Sequence, residues 1–381
     1  VRVFAALGSF TSAGLIALPL IAEPWAWTLL RVLLGFCMSG IYVTAESWLN
    51  DSSTNETRGK VLSAYMIAQT LGIIGAQGLL TFGDAANSAL FIVASILVSI
   101  SFAPILLSAT SVPMTEAARP MGLKELFSGS PLSTVGIFLL GCVYAIQTGM
   151  AAVFGTQIDM TAGQIATFVA MLFAGALLFQ YPIGWLSDRM DRRKLIFGAS
   201  MVAMAACILG WVSGDNLVFM LCAAFVAGGM TTPLYALFLA YTNDFLPLED
   251  MPAASGGLVL TFGVGAILGP LLAGWSMEHL GPRTFWLVLA MTFAVISVYA
   301  LYRMTRREAL PVEETESYVS VLPTASPMAV ETAGVWAAEQ AEAEAEAAAE
   351  EAAAEEAEAE AAAETEAKEK ADTAKDEPPK V

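Results

Sequence analysis

The sequence predicts an all-α protein that crosses a membrane many times. Of its 381 residues, 56% are hydrophobic and only 14% are charged, whereas an ordinary soluble domain has roughly 25% charged residues. The apolar residues stand in long runs, and a helix needs about 20 of them to cross a hydrocarbon layer of about 30 Å. This composition excludes a conventional water-soluble domain for most of the chain.

Ten apolar segments can be marked, and each predicts one membrane-spanning helix. They cover Val3 to Ile21, Trp27 to Leu49, Leu62 to Phe82, Ser88 to Thr110, Pro131 to Phe154, Thr161 to Ile183, Leu195 to Val212, Leu217 to Tyr241, Ala253 to Trp275 and Thr284 to Tyr302.

Basic residues lie almost entirely on one set of helix ends and loops. That set holds twelve of them, against Arg283 alone on the other: Arg2, Arg58, Lys60, Arg119, Lys124, Arg189, Arg192, Arg193, Lys194, Arg303, Arg306 and Arg307. Because loops rich in Lys and Arg stay in the cytoplasm, we expect Val1 and the tail after the last helix to be cytoplasmic.

The acidity of the chain belongs to its tail. The net charge is −18, but residues 1–303 hold 15 acidic and 12 basic residues, a net charge of −3. The stretch from Glu339 to Lys375 is nearly all Ala and Glu, a composition that favours helix but cannot bury a core. We expect a solvated tail that serves either as a spacer or as a means of recruiting a partner.

The residue types needed for most catalytic and metal sites are missing. The four cysteines, Cys37, Cys142, Cys207 and Cys222, all lie inside apolar runs, and the only histidine is His279. Cysteine in such a run behaves as a small hydrophobe. We therefore expect no catalytic residues, no metal site and no cofactor, and the chain is not expected to be an enzyme.

An internal repeat relates the two halves of the chain at an offset of 193 residues. It carries Asn50-Asp51 onto Asn243-Asp244 and Gly72 onto Gly265. Spans one to four then correspond to spans seven to ten, so two equal halves would require two further helices before Val1. Parallel halves of this kind are a known way to build a transporter with its site near the membrane midplane.

The stretch from Gly184 to Lys194 resembles the loop signature GxLaDrxGrrk of the major facilitator superfamily, with Asp191 at the position of the usual glycine. The resemblance implies that Asp188 lies near a neighbouring helix N-terminus, pairs with a basic residue and latches the cytoplasmic side, together with Gly184, Arg189, Arg192 and Arg193. The alternative is that the basic residues only fix the orientation of the chain.

Two charged residues inside the spans are candidates for coupling transport to the movement of protons. Arg31 precedes Gly35 as in the family's fourth-helix motif, and it either faces the cavity or snorkels outward beside Trp27. Glu46 is the one acid well inside an apolar run, and it is either functional or part of a solvated helix end. The stretch from Glu46 to Asn50, together with Gly265, Gly269 and Pro270, resembles the YcaD-like bacterial branch of the family. Glycines spaced by four, such as Gly265 and Gly269, are expected to let two helices pack closely.

Uncharged polar residues inside the spans are the candidates for a substrate cavity. The best of them are Gln69, Tyr144, Gln147 and Tyr235. Tyr144 and Gln147 share one helix face because they are three residues apart. Hydrogen bonding between helices would explain these side chains equally well.

The resemblance implies a two-bundle membrane fold, with about 10 of 12 helices present. We expect an incomplete first bundle at 1–110, a cytoplasmic linker at 111–130, a six-helix bundle at 131–303 and an acidic tail at 304–381.

The expected function is secondary transport of a small molecule across the cell inner membrane by alternating access, with proton coupling left open. The partners would be the substrate and the bilayer, with no nucleic acid, and the chain would be a monomer. The alternatives are a membrane scaffold or sensor that acts through the tail, and a non-functional transporter fragment.

Overall fold

The structure is a computed structural model that describes residues 2–80, 88–107, 122–214, 216–246, 250–306, 310–311, 315, 318–340 and 353–354. Its helices are α1 (Arg2–Ala17, continued by a 3-10 turn at Leu18–Leu20), α2 (Pro24–Asp51), α3 (Asn55–Leu79), α4 (Ala89–Leu107), α5 (Leu123–Gly129), α6 (Pro131–Gly149), α7 (Ala151–Gln157), α8 (Ala162–Ser187), α9 (Arg192–Val212), α10 (Leu217–Asn243), α11 (Met251–Leu280) and α12 (Thr284–Met304). A further helix, α13, covers 327–340.

Within these ranges nine helices are long and apolar enough to cross a membrane, and Ala89–Pro104 is a shorter apolar helix. Each of the ten apolar segments overlaps one of these helices, so the predicted polytopic α-helical fold is confirmed. Large apolar side chains such as Phe36, Ile267 and Leu271 point outward, as expected of helices whose solvent is lipid.

The helices of the second half form one closely packed bundle. α10 packs against α8, α6 against α11, and α9 against α12. Phe154, Phe168, Phe285 and Trp286 form an aromatic cluster in this bundle, with the Phe154 and Phe285 rings stacked at 4.7 Å between centroids. In the first half, α1 packs against α2 and α4, and α3 crosses over to pack against α8. The α3–α8 contact therefore joins the two halves.

Glycines let the helices of the second bundle approach closely. A Cβ atom at Gly265 would lie 2.0 Å from the carbonyl oxygen of Phe138, and one at Gly269 would lie 2.5 Å from that of Cys142. The packing role expected for these two glycines is confirmed, because α6 and α11 meet backbone to backbone.

Two boundaries differ from those predicted. α3 begins at Asn55 and not near Leu62, because Thr54 and Thr57 form a capping box that starts the helix inside the polar loop. The segment from Pro131 to Phe154 is two helices that meet at Met150, directly after Gly149. Of the expected linker, 111–121 lies outside the described residues, and the rest includes α5, which buries Leu126.

Candidate functional site

A chain of hydrogen bonds runs through buried polar groups of the first half. Gln69 donates to the Tyr65 hydroxyl at 2.6 Å, and Tyr65 donates to Oε1 of Glu46 at 2.9 Å. The other carboxylate oxygen of Glu46 accepts the backbone N–H of Ser326 at 3.0 Å. Glu46 is only 3% exposed, so the structure does not make it a solvated helix end. A carboxylate this deeply buried requires such donors.

Aromatic side chains of α6, α10 and α11 lie near this chain of hydrogen bonds. The rings of Tyr144 and Tyr235 both pack against Phe262, at 5.8 Å and 5.4 Å between centroids. Tyr235 lies within electrostatic range of Glu46. Tyr42 lies within electrostatic range of both Glu46 and Tyr144. Tyr144 and Tyr235 of the second half therefore lie within electrostatic range of Tyr42 and Glu46 of the first half.

Three of the cavity candidates have a buried polar atom without a hydrogen-bond partner among the described residues. These atoms are Oε1 of Gln69, Nε2 of Gln147 and the hydroxyl of Tyr235. Most buried polar atoms in proteins have a partner, so these three are suited to receiving a polar ligand. All three belong to residues that the sequence had marked as cavity candidates.

Arg31 lies apart from this cluster. Its side chain is exposed, and its guanidinium carbon lies 5.1 Å from the centre of the Trp27 ring. This geometry matches the snorkelling alternative, in which the arginine reaches along the helix beside an aromatic ring.

Tyr42 and Tyr65 are the polar residues of this cluster that the sequence reasoning missed. Each stands four residues from a marked residue, since Tyr42 precedes Glu46 and Tyr65 precedes Gln69. Residues four apart share a helix face, so this spacing was the signal that could have found them.

At one end of the molecule, α2, α8 and α10 finish and α3, α9 and α11 begin. We call this end the basic face, because Arg58, Lys60 and the arginines after α8 lie there.

The residues of the Gly184 to Lys194 loop are held on the basic face by several contacts. Oδ1 of Asp188 accepts the backbone N–H of Tyr318 at 2.8 Å, where a basic side chain had been expected. Arg189 lies over the Trp185 ring at 4.3 Å.

Arg192 joins three helices at the basic face. Its guanidinium forms a buried ion pair with Asp244 at the end of α10. It also donates to the carbonyl oxygen of Ala240 and to the hydroxyl of Ser187, both at 3.2 Å. Both charged side chains are only 2% exposed. The pair therefore ties the start of α9 to the ends of α8 and α10.

Asp191 caps α9 and pairs with Arg193. Its carboxylate accepts the Arg193 backbone N–H at 2.9 Å and the guanidinium at 2.9 Å. Partial burial alone would raise the pKa of Asp191, but the hydrogen bonds of Arg193 and the charges of Arg193 and Lys194 outweigh it, so the pKa lies below its usual value. Asp191, which replaces a glycine of the signature, thus acts as a helix cap.

Residues 318–340, which we call the C-terminal wedge, lie across the basic face. Tyr318 packs over Gly184 and accepts a hydrogen bond from Gln180 at 2.9 Å. Val321, Leu322, Ala325, Ala329, Val330, Ala333 and Ala337 are buried. The sequence reasoning placed all of this segment in a tail and missed its packing.

A cavity of about 430 Å³ lies beside the wedge, between α3 and α8, lined by Thr70, Gln180 and Thr232.

Among the described residues, no group of three His, Cys, Asp or Glu side chains could hold a metal ion.

The sequence profile described as Major Facilitator Superfamily matches residues 133–338, which is more than half of the 381-residue chain. The chain belongs to the Major Facilitator Superfamily. A second profile, described as sugar (and other) transporter, matches residues 2–119. This superfamily chain is therefore a multi-pass membrane transporter, and the resemblance read from its loop signature is confirmed.

Similar proteins and a similar solved structure agree with this assignment. The chain is 22% identical over 295 residues to the uncharacterized MFS-type transporter YfkF of Bacillus subtilis, covering 76% of this chain and 75% of the relative. It is 25% identical over 305 residues to the uncharacterized MFS-type transporter YcaD of Escherichia fergusonii, covering 79% and 78%. The crystal structure of a mutant of the nucleoside transporter NupG superposes with a TM-score of 0.63 at 16% identity, covering 79% of this chain and 82% of that one. At this identity the likeness shows the fold.

Proposed function

We propose that this superfamily chain moves a small polar molecule across the cytoplasmic membrane by alternating access. The observation that carries the proposal is that polar groups around Glu46 in the first half lie within electrostatic range of polar groups of the second half. Gln69 and Tyr65 come from the first half, and Tyr144, Gln147 and Tyr235 come from the second. A site that both halves build can be opened to either side in turn when the halves rock.

Glu46 is the residue that we propose for proton coupling. Its carboxylate is buried, and it is the shared acceptor of Tyr65 and of the Ser326 backbone. Protonation would turn one of its oxygens into a donor, so it would change which of these contacts can form. Among the described residues, the titratable groups near it include Tyr42, Tyr65 and Tyr235, and the charged Arg58 lines the same narrow gap. Arg31 is exposed and is not assigned a coupling role.

The chain is proposed to lie in the cell inner membrane with the basic face toward the cytoplasm. This orientation is supported by the twelve basic residues of one set of loops and ends against Arg283 of the other. The chain is proposed to act as a monomer.

Transport in proteoliposomes tests the proposal. The purified chain is reconstituted and presented with a panel of radiolabelled metabolites, each with and without a pH gradient. We expect saturable uptake of at least one compound that empty liposomes do not show, with a larger rate under the gradient. Uptake of every compound at the rate of empty liposomes would contradict the proposed function, and uptake that ignores the gradient would contradict the coupling alone.

A further inference from the structure

The C-terminal wedge contacts the first half through both ends of α13. The backbone N–H of Ser326, the residue directly before α13, donates to Glu46. Near the other end of α13, Glu339 pairs with Arg58 at 3.3 Å. Between them the Trp336 ring lies so close to Gly59 that a Cβ atom there would stand 2.4 Å from it.

The same segment contacts the second half along its length. Tyr318 is held by Asp188 and Gln180 of the α8 region. Val321, Val330 and Ala333 line a narrow gap whose other wall is Ala236 and neighbouring residues of α10. Gly334 lies against Asn243, since a Cβ atom at Gly334 would stand 2.9 Å from its amide nitrogen.

The local sequence explains why α13 begins at this point. Ser326 precedes the first helical residue, and Pro327 occupies the first turn, where its missing N–H costs nothing. The N-terminus of a helix carries a partial positive charge and free N–H groups. Glu46 supplies the anion for this terminus, so this buried carboxylate is also an anchor for the wedge.

We propose that residues 318–340 are an intramolecular plug that closes the basic face of the transporter. This inference rests on the proposed alternating-access function. The wedge contacts α2 and α3 on one side and α8 and α10 on the other, and these contacts cannot all persist when the two halves separate at this face. A segment that binds only the closed arrangement stabilises that arrangement. Release of the wedge is therefore the step that allows the site to open toward the basic face.

A labelling experiment on the full chain tests the plug. The four native cysteines are replaced by alanine, and Gln147→Cys, at a position that is 3% exposed, reports opening of the site. A membrane-impermeant maleimide is added to inside-out vesicles, so that it reaches the basic face. Val330→Asp places a charge in the buried seat of the wedge, and a second variant lacks residues 318–381. The matched controls are Val330→Ile and a chain that ends at Gln340.

Hydrogen–deuterium exchange of residues 327–340 is measured on the parent chain, on Val330→Asp and on both controls, and size-exclusion chromatography identifies the variants that fold. We expect protected amides and slow labelling in the parent chain and in both controls. Val330→Asp is expected to lose the protection and to label about tenfold faster, because the labelling rate follows the fraction of time that the site is open. If the variant that lacks residues 318–381 does not fold, the Val330→Asp chain still tests the plug.

Two results would overturn the plug. One is exchange of residues 327–340 at the unprotected rate in the parent chain, which means that the wedge is not seated. The other is loss of protection in Val330→Asp with labelling at the control rate, which means that the site stays closed without the wedge. Failure of the proposed function is a separate outcome, since the uptake panel would then be negative while the labelling rates still differ.

Discussion

Replacing Asp244 with alanine would remove the carboxylate partner of the Arg192 guanidinium at the basic face. Both side chains are 2% exposed, and Arg192 also donates to Ser187 and Ala240. Breaking a buried ion pair from one side typically costs about 3–5 kcal/mol, because the remaining charge stays buried without compensation. The second bundle, from Pro131 to Met304, is the unit that the pair holds together.

The loss should be visible as a lower melting temperature in detergent. For a unit of about 150–250 residues, 1 kcal/mol shifts Tm by about 2–4 °C, so a loss of 3–5 kcal/mol corresponds to a decrease of about 6–20 °C. A thiol-reactive dye measures it in chains that carry Cys142→Ala and Cys222→Ala, since the remaining Cys37 and Cys207 are buried and react only when the chain unfolds.

The double variant Arg192→Met with Asp244→Leu is the control. Removing both charges leaves no buried ion, so this chain should melt close to the parent chain. A decrease of Tm in Asp244→Ala that is no larger than in the double variant would refute the account of the pair as a buried tie between α9 and α10.

Three further predictions follow from individual contacts. Gly265→Ala should destabilise the chain by about 1–3 kcal/mol, because the new methyl group overlaps the Phe138 carbonyl; thermal melting checks it, and Gly263→Ala, which meets nothing within 4 Å, should melt like the parent. Asp191→Asn should lower the melting temperature at neutral pH: the native pKa of Asp191 is lowered, so its contribution is present above its unfolded pKa of about 3.9 and is lost as pH falls through the native value. A difference between Asp191→Asn and parent that does not shrink in acid would contradict this. Glu46→Gln should abolish the stimulation of uptake by a pH gradient while leaving exchange of labelled for unlabelled substrate, both measured in proteoliposomes; stimulation that survives would remove Glu46 from coupling.

The membrane helices could be predicted because their signal is local. A run of about 20 apolar residues specifies a spanning helix whatever its neighbours are, and each predicted segment overlaps a helix of the structure. The start of α3 was misplaced because a capping box in polar sequence, Thr54 with Thr57, extends the helix beyond its apolar part. Hydropathy alone does not register such a cap.

The C-terminal wedge could not be predicted for the opposite reason. Its apolar residues are mostly single alanines and valines in a short segment, which forms no long run. Its burial depends on a groove whose walls come from α2, α3, α8 and α10, far away in the sequence. Tertiary packing of this kind decides the structure of a segment with a weak local signal.

The candidate site was partly predictable. Gln69, Tyr144, Gln147 and Tyr235 were found because polar groups inside apolar runs need partners or water. The environment of Glu46 was not predictable, since its donors include the backbone of Ser326, 280 residues away. For the same reason, Asp188 was assigned a basic partner by resemblance, while its partner in the structure is the backbone N–H of Tyr318.

The distance between the two halves at the basic face is the measurement that tests alternating access most directly. Spin labels are placed at Lys60, near the start of α3, and at Arg189, after α8, which are both exposed. Pulsed electron paramagnetic resonance measures the distance between the two labels in lipid nanodiscs. Labels at Arg189 and Thr305, both in the second half, are the control and should keep one distance. We expect two populations for the Lys60–Arg189 pair, the longer one growing when transported substrate or acidic pH is applied. A single short distance under every condition, equal to that of the closed structure, would contradict it.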